Sequence, residues 1–103
     1  MSNKPIPIDL VPHADIIQDS KEFLRMWVKN DGASICFINP IPIGPNPSAF
    51  GTMMVDAIRH AAKTYVRATG ISQEEALNHI WQAMDKERGN EKDHAILYRM
   101  QDE

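Results

Sequence analysis

Cysteine is the scarcest informative residue in this chain, with one copy among 103 residues. Cys36 cannot form a disulfide within the chain, so packing must hold the fold together. Such usage is typical of reducing compartments, and we expect a cytoplasmic location. Ile35 and Phe37 flank Cys36, and an isolated cysteine in an apolar segment usually packs as a small hydrophobic residue.

Long apolar runs and a strong charge of either sign are also missing. No stretch approaches the roughly 20 apolar residues that span a bilayer, and prolines interrupt the segment where a signal peptide needs a continuous apolar run. The net charge of −3 is unfavourable for strong nonspecific binding to nucleic acid. We therefore expect no membrane partner, and nucleic acid is the partner class that the sequence favours least.

No pattern in the chain matches a catalytic, phosphate-binding or metal-binding motif. The pairs Asp56/His60 and Glu75/His79 would each place two metal ligands on one helix face, but a zinc site takes three or four ligands. Solvated helix faces explain both pairs better than a metal site does. We therefore expect no metal and no cofactor, and the sequence favours a protein that is not an enzyme by itself.

What the chain does contain is a long segment with helical periodicity between Asn46 and Gly70. The Asn46 side chain can accept a hydrogen bond from the first turn, and Pro47 suits the first helical position. Gly70 is typical of a helix end. The apolar residues that share one face are Phe50, Met54, Ala57, Ile58, Ala61, Tyr65 and Ala68. We predict a helix over residues 47–69, about 34 Å long.

A second helix follows after a short link. Ser72 and Glu75 form a capping-box pattern, in which each side chain can bond the backbone amide of the other. The apolar stripe that continues from this start is Ala76, Leu77, Ile80, Trp81 and Met84, and the helix should end near Gly89. Because the link is short, the two helices should pack as an antiparallel pair.

Residues 22–38 have the pattern of a β-hairpin with Asn30-Asp31-Gly32 at its turn. A two-residue turn would put Leu24, Met26 and Val28 on the face of Ile35 and Phe37. A three-residue turn with Gly32 in a bulge would swap the faces of the second strand. In both registers, each face of the hairpin carries large apolar side chains.

These elements predict an α+β fold in the order β-β-α-α, with the hairpin packed on the central helix. Residues 1–20 should form an extended, proline-rich tail, residues 21–89 a single domain, and residues 90–103 a charged C-terminal segment. The proline-rich connection over residues 39–47 should lack regular structure.

Four side chains are candidates for a ligand site or an interface: Arg25, Trp27, Arg59 and His60. Arg25 lies among aromatic residues, where it can cover a ring, pair with an acid across an interface, or bind an anion. Arg59 and His60 could contribute to an anion site with the proline-rich connection as its rim. A solvated helix face accounts for them better.

The two apolar faces of the hairpin also bear on assembly. One helix can cover only one face, and a second copy of the chain could cover the other or extend the sheet. We therefore expect a twofold homodimer that acts as a structural or interaction module. In the alternative, residues 4–11 fold back over the open face and keep the chain monomeric.

Several segments of the chain resemble a small, uncharacterised bacterial domain family found mainly in proteobacteria. The resemblance begins at residues 24–28, is densest over residues 46–51, and continues through Met53, Asp56, Arg59, His60, Ala61 and Tyr65. Relatives tend to have an acidic residue and a tryptophan where this chain has Asn46 and Phe50. Both substitutions keep a helix cap and an aromatic ring. The resemblance implies a fold and a bacterial origin but no activity.

Overall fold

A computed structural model describes residues 3–89, which form two strands followed by two helices. A 3-10 turn at Val11–His13 and the turns after it precede the strands, so the tail predicted to be extended is not extended throughout. The antiparallel strands are β1 (Leu24–Val28) and β2 (Ser34–Ile38), and the helices are α1 (Pro47–Thr69) and α2 (Gln73–Arg88). The predicted α+β fold in β-β-α-α order is confirmed. The predicted C-terminal segment, residues 90–103, lies outside the described residues, and the proposed domain boundaries stay a prediction.

The hairpin uses the three-residue turn. The backbone N–H of Lys29 donates to the Ala33 carbonyl at 2.8 Å, which encloses Asn30-Asp31-Gly32 as the loop. Gly32 has a φ of +92°, a left-handed conformation that glycine adopts without strain. An Asp31 side-chain oxygen accepts the Ala33 amide at 2.9 Å and stiffens the turn. The choice between the two registers is thereby settled.

This register fixes which side chains share a face of the hairpin. Leu24 lies opposite Ile38, and Val28 lies opposite Ser34. Directly opposite residues point to the same side of a sheet. One face therefore carries Leu24, Met26, Val28, Ser34, Cys36 and Ile38, and the other carries Phe23, Arg25, Trp27, Ile35 and Phe37. Both faces are apolar, as predicted.

Helix α1 begins and ends at the predicted residues because both ends are capped locally. Asn46 accepts a hydrogen bond from the Ser48 amide at 3.0 Å. At the other end Gly70 is left-handed, with a φ of +81°, and its N–H donates to the Val66 carbonyl at 3.0 Å.

Helix α2 packs against α1 through small side chains. The Ser72 hydroxyl accepts the Glu75 amide at 3.1 Å, which is one of the two bonds of the predicted capping box. Ala62 of α1 is fully buried and Ala76 of α2 is 5% exposed. The most buried side chain of each helix is thus a single methyl group, which leaves room for the other helix to approach.

The hairpin meets α1 mainly at the start of β1. The Phe23 ring packs edge-to-face on Phe50, with ring centres 6.2 Å apart. The backbones of the hairpin and α1 approach each other at far fewer places than the two strands or the two helices do. The predicted packing of the hairpin on the central helix is therefore limited to one end. The connection, predicted to lack regular structure, contains one 3-10 turn at Ile41–Ile43.

The described part of the chain has almost no core of its own. Ala62 and Ala76 are the buried apolar residues among residues 3–89, and no polar residue is buried there. Fourteen large apolar side chains in the same range are exposed, from the tail, the hairpin, the connection and the helices. This imbalance determines what the surface of the protein can do.

Candidate functional site

Arg25 is held by a neighbour that the sequence analysis overlooked. Its Nε donates to Glu22 Oε2 at 3.0 Å, and its Nη2 donates to Glu22 Oε1 at 2.6 Å. This paired hydrogen bonding favours the charged guanidinium and raises the pKa of Arg25. Both side chains are exposed. An acid three residues before an arginine was the available signal in the sequence.

Trp27 lies on the same face of the hairpin as Arg25 and is half-buried. Both residues line a groove of about 400 Å³ together with Phe37. They also line a second groove of about 510 Å³, which separates β1 from the N-terminal tail. The tail contributes Ile6, Pro7, Ile8 and Leu10 to this groove, and the strand contributes Leu24 and Met26. We call this second groove the edge groove.

Arg59 and His60 do not join Arg25 in either of these grooves. They are consecutive, exposed residues on the polar side of α1. The structure thus brings Arg25 and Trp27 together, as strand alternation predicts, and keeps Arg59 and His60 out of both grooves. The assignment of all four to a site stays a prediction.

The proline-rich connection, considered above as the rim of an anion site, forms one wall of a further groove. This groove has a volume of about 630 Å³ and is lined by Ile38, Pro40, Ile41, Ile43, Gly44, Pro45, Asn46, Pro47 and Phe50. It is almost entirely apolar. The alternation of isoleucine and proline over residues 41–43 was the signal that this segment has an apolar face.

Ionisable groups in the described residues all lie at the surface. Each Asp, Glu, Lys, Arg and His between residues 3 and 89 is exposed. Within that range no three side chains of the metal-binding types come together. Neither described helix combines the length and apolar character needed to cross a bilayer.

The chemistry that this surface offers is apolar contact and backbone hydrogen bonding. Met26 is 59% exposed and Val28 is 77% exposed on one face of the hairpin, and Phe37 is exposed on the other. Exposed apolar side chains at this density are characteristic of protein interaction surfaces.

Comparison with known proteins gives a family and a related fold. No curated protein is detectably similar to the chain. Among solved structures, a similar one matches over 85% of this chain and 99% of its own, with 27% identity and a TM-score of 0.60. It is described as "a putative pyruvate dehydrogenase from the photosynthetic bacterium Rhodopseudomonas palustrus CGA009". A family model described as Domain of unknown function (DUF5076) matches residues 7–92, most of the chain. This chain therefore belongs to the DUF5076 family, which agrees with the resemblance to an uncharacterised domain family noted in its sequence.

Proposed function

We propose that the protein is a homodimeric structural or interaction module that works in the cytoplasm. One observation carries the proposal: among residues 3–89 only Ala62 and Ala76 form a buried apolar core, while fourteen large apolar side chains are exposed. A stable small domain normally buries such side chains, because their transfer out of water is the main favourable term in folding.

The size of the effect supports association. Burying one large apolar side chain is worth about 1.5–3 kcal/mol. Four such residues on the hairpin are exposed: Met26, Val28, Phe37 and Ile38. These side chains are already partly buried, from 37% exposed at Ile38 to 77% exposed at Val28, so covering all four would contribute several kcal/mol, a large share of the about 5–15 kcal/mol stability of a typical domain.

The N-terminal tail is a poor substitute for a partner. The alternative of a monomer needs residues 4–11 to cover the open hairpin face. Ile6 is 90% exposed and Ile8 is 84% exposed, so the tail leaves its own apolar side chains in water. A second copy can cover both the tail and the hairpin, and twofold symmetry is the commonest way to arrange two identical chains.

The molecular mass in solution tests this proposal. Light scattering at micromolar concentration should give about twice the 11.7 kDa of one chain. A mass that stays at 11.7 kDa throughout a concentration series up to the millimolar range would refute the homodimer.

A second candidate function is binding of a small anion, or catalysis on it, through Arg25, Arg59 and His60. The observation in its favour is the description of the Rhodopseudomonas structure, since pyruvate is a carboxylate and arginine binds carboxylates with two hydrogen bonds. Against it, Glu22 already occupies the guanidinium of Arg25. A thermal-shift titration with pyruvate separates the two functions. Stabilisation that R25Q abolishes would support the anion site, and an unchanged melting temperature would count against it.

A further inference from the structure

The outer edge of β1 carries backbone groups that point away from β2. Lys29 donates to Ala33, and Asn39 donates to Phe23 at 2.9 Å, so the odd-numbered residues of β1 face β2. In an antiparallel ladder the direction alternates with each residue. The N–H and C=O groups of Leu24, Met26 and Val28 therefore point outward, and the backbone hydrogen bonds of residues 3–89 give them no partner.

The outer edge of β1 borders an apolar groove and is not paired with another strand within residues 3–89. The edge groove lies along β1, with Leu24 and Met26 on the strand side and Ile6 and Ile8 on the tail side. Natural sheets usually protect an open edge, because unpaired strand groups are ready to pair with another chain. Here the tail lies beside the edge without forming a strand with it.

We propose that β1 pairs with β1 of a second copy, in antiparallel orientation around a twofold axis at Met26. The result is a four-stranded sheet in the order β2-β1-β1-β2, with Leu24 opposite the partner's Val28. This inference rests on the proposed homodimer and specifies which surface forms it. The occupant of the edge groove is the partner's β1 strand.

The side chains of β1 are complementary to themselves in this register. Arg25 lies opposite the partner's Trp27, at positions where the two Cα atoms of an antiparallel pair are about 4.5 Å apart. A guanidinium over an indole ring is a favourable cation–π contact, and twofold symmetry makes it twice. This arrangement gives a role to an arginine that is otherwise out of place on an aromatic face.

Charge disfavours the neighbouring registers. The outward backbone groups stay paired only if the partner strand slides by two residues at a time. A slide in one direction places Arg25 opposite the partner's Arg25, and a slide in the other places it opposite the partner's Lys29. Like charges directly opposite each other destabilise a sheet, so Met26 is the favoured centre.

Disulfide trapping at Met26 tests the pairing. In a C36S background, M26C should place two thiols on residues whose Cα atoms are about 5.5 Å apart, within the range that disulfides span. Under mild oxidation we expect at least tenfold more covalent dimer than from M53C in the same background, since Met53 is also exposed but lies on α1. Equal yields would overturn the pairing, and so would efficient trapping through the native Cys36, because that result would place β2 at the dimer centre.

A proline at the same position gives an independent test. Pro is tolerated on an edge strand where the N–H faces outward, so M26P should keep the ladder within the hairpin and remove an intersubunit hydrogen bond. We expect M26P to have half the mass of the wild type and a lower melting temperature, with its helical circular dichroism retained at low temperature. W27P is the matched control. The backbone N–H of Trp27 faces β2, so a proline there should remove a hydrogen bond within the hairpin and disrupt it. An M26P variant that stays dimeric would overturn the pairing.

The wild-type mass separates this inference from the proposed function. A dimer that M26C does not trap would leave the homodimer standing and refute the β1 pairing. A monomer at all concentrations would refute both.

Discussion

At the scale of single residues, the Arg25–Glu22 pair is exposed to solvent, so water and salt screen it and it contributes little to stability. The effect of the pair is to fix the orientation of the Arg25 side chain. Two parallel hydrogen bonds fix the guanidinium within an aromatic strand face that also carries Trp27 and Phe37. A fixed cation beside exposed rings is well placed to contact a partner, and this is where we expect substitutions to change assembly rather than folding.

Substitution of Trp27 by lysine should produce a monomer that is folded at low temperature and melts below the wild type, because the stabilisation by the second chain is lost. Trp27 is only half-buried, so its loss leaves the chain's own packing largely intact, while the new cation lies on the face that already holds Arg25. Light scattering should give the mass of one chain, and circular dichroism should stay helical. W27F, which keeps a ring, should remain dimeric. An unfolded W27K would instead place Trp27 in the core of the monomer.

Replacement of Asn46 by alanine should lower the free energy of unfolding by about 0.5–2 kcal/mol, as expected for the loss of a helix N-cap. The reason is the lost hydrogen bond to the Ser48 amide. Urea denaturation measures the change. N46D keeps an acceptor in the same place and should unfold near the wild-type midpoint, so equal stability of N46A and N46D would contradict the role of the cap.

At the scale of elements, the contact between α1 and α2 depends on the small size of Ala62 and Ala76. We expect A62L to destabilise the protein by about 1–3 kcal/mol, the usual cost of extra volume in a packed position. A68L is the matched control, because Ala68 lies on the same helix but is exposed. Thermal unfolding by circular dichroism compares the two. If both variants melt at the wild-type temperature, the helices are not in close contact at Ala62.

The elements also differ in how far sequence alone could define them. Both helices were predictable almost to the residue because Asn46, Gly70 and Ser72 act within one turn of themselves. The hairpin register could not be predicted in this way, since two turn types fit Asn30-Asp31-Gly32 equally well by local rules. The Lys29–Ala33 hydrogen bond and the strand pairing that follows from it distinguish them.

The candidate site could be predicted in part for the same reason. Strand alternation places Arg25 and Trp27 on one face, which is a local property. The grooves depend on how the tail and the proline-rich connection lie against other elements, and no spacing in the sequence encodes that. The polar face of α1 could be identified from its sequence, but its position relative to the grooves could not.

At the scale of the whole molecule, a chain with two buried alanines in its described part cannot obtain much stability from its own core. If association supplies the rest, the melting temperature must depend on concentration, because the law of mass action couples folding to dimer formation. We expect the melting temperature to rise clearly when the protein concentration is raised from about 1 μM to about 100 μM. A melting temperature independent of concentration would show that one chain is stable alone.

The limited contact between the hairpin and the helices has a consequence for spectroscopy. The chain has two tryptophans, with Trp27 on β1 and Trp81 on α2, and both are half-buried. Each indole therefore reports on a different half of the molecule. With W81F the emission follows the hairpin alone, and with W27F it follows the helix pair. Two unfolding curves that separate on dilution would reveal a molecule whose strands depend on a neighbour while its helices do not, and the fluorescence of a single residue would then indicate whether a second chain is present.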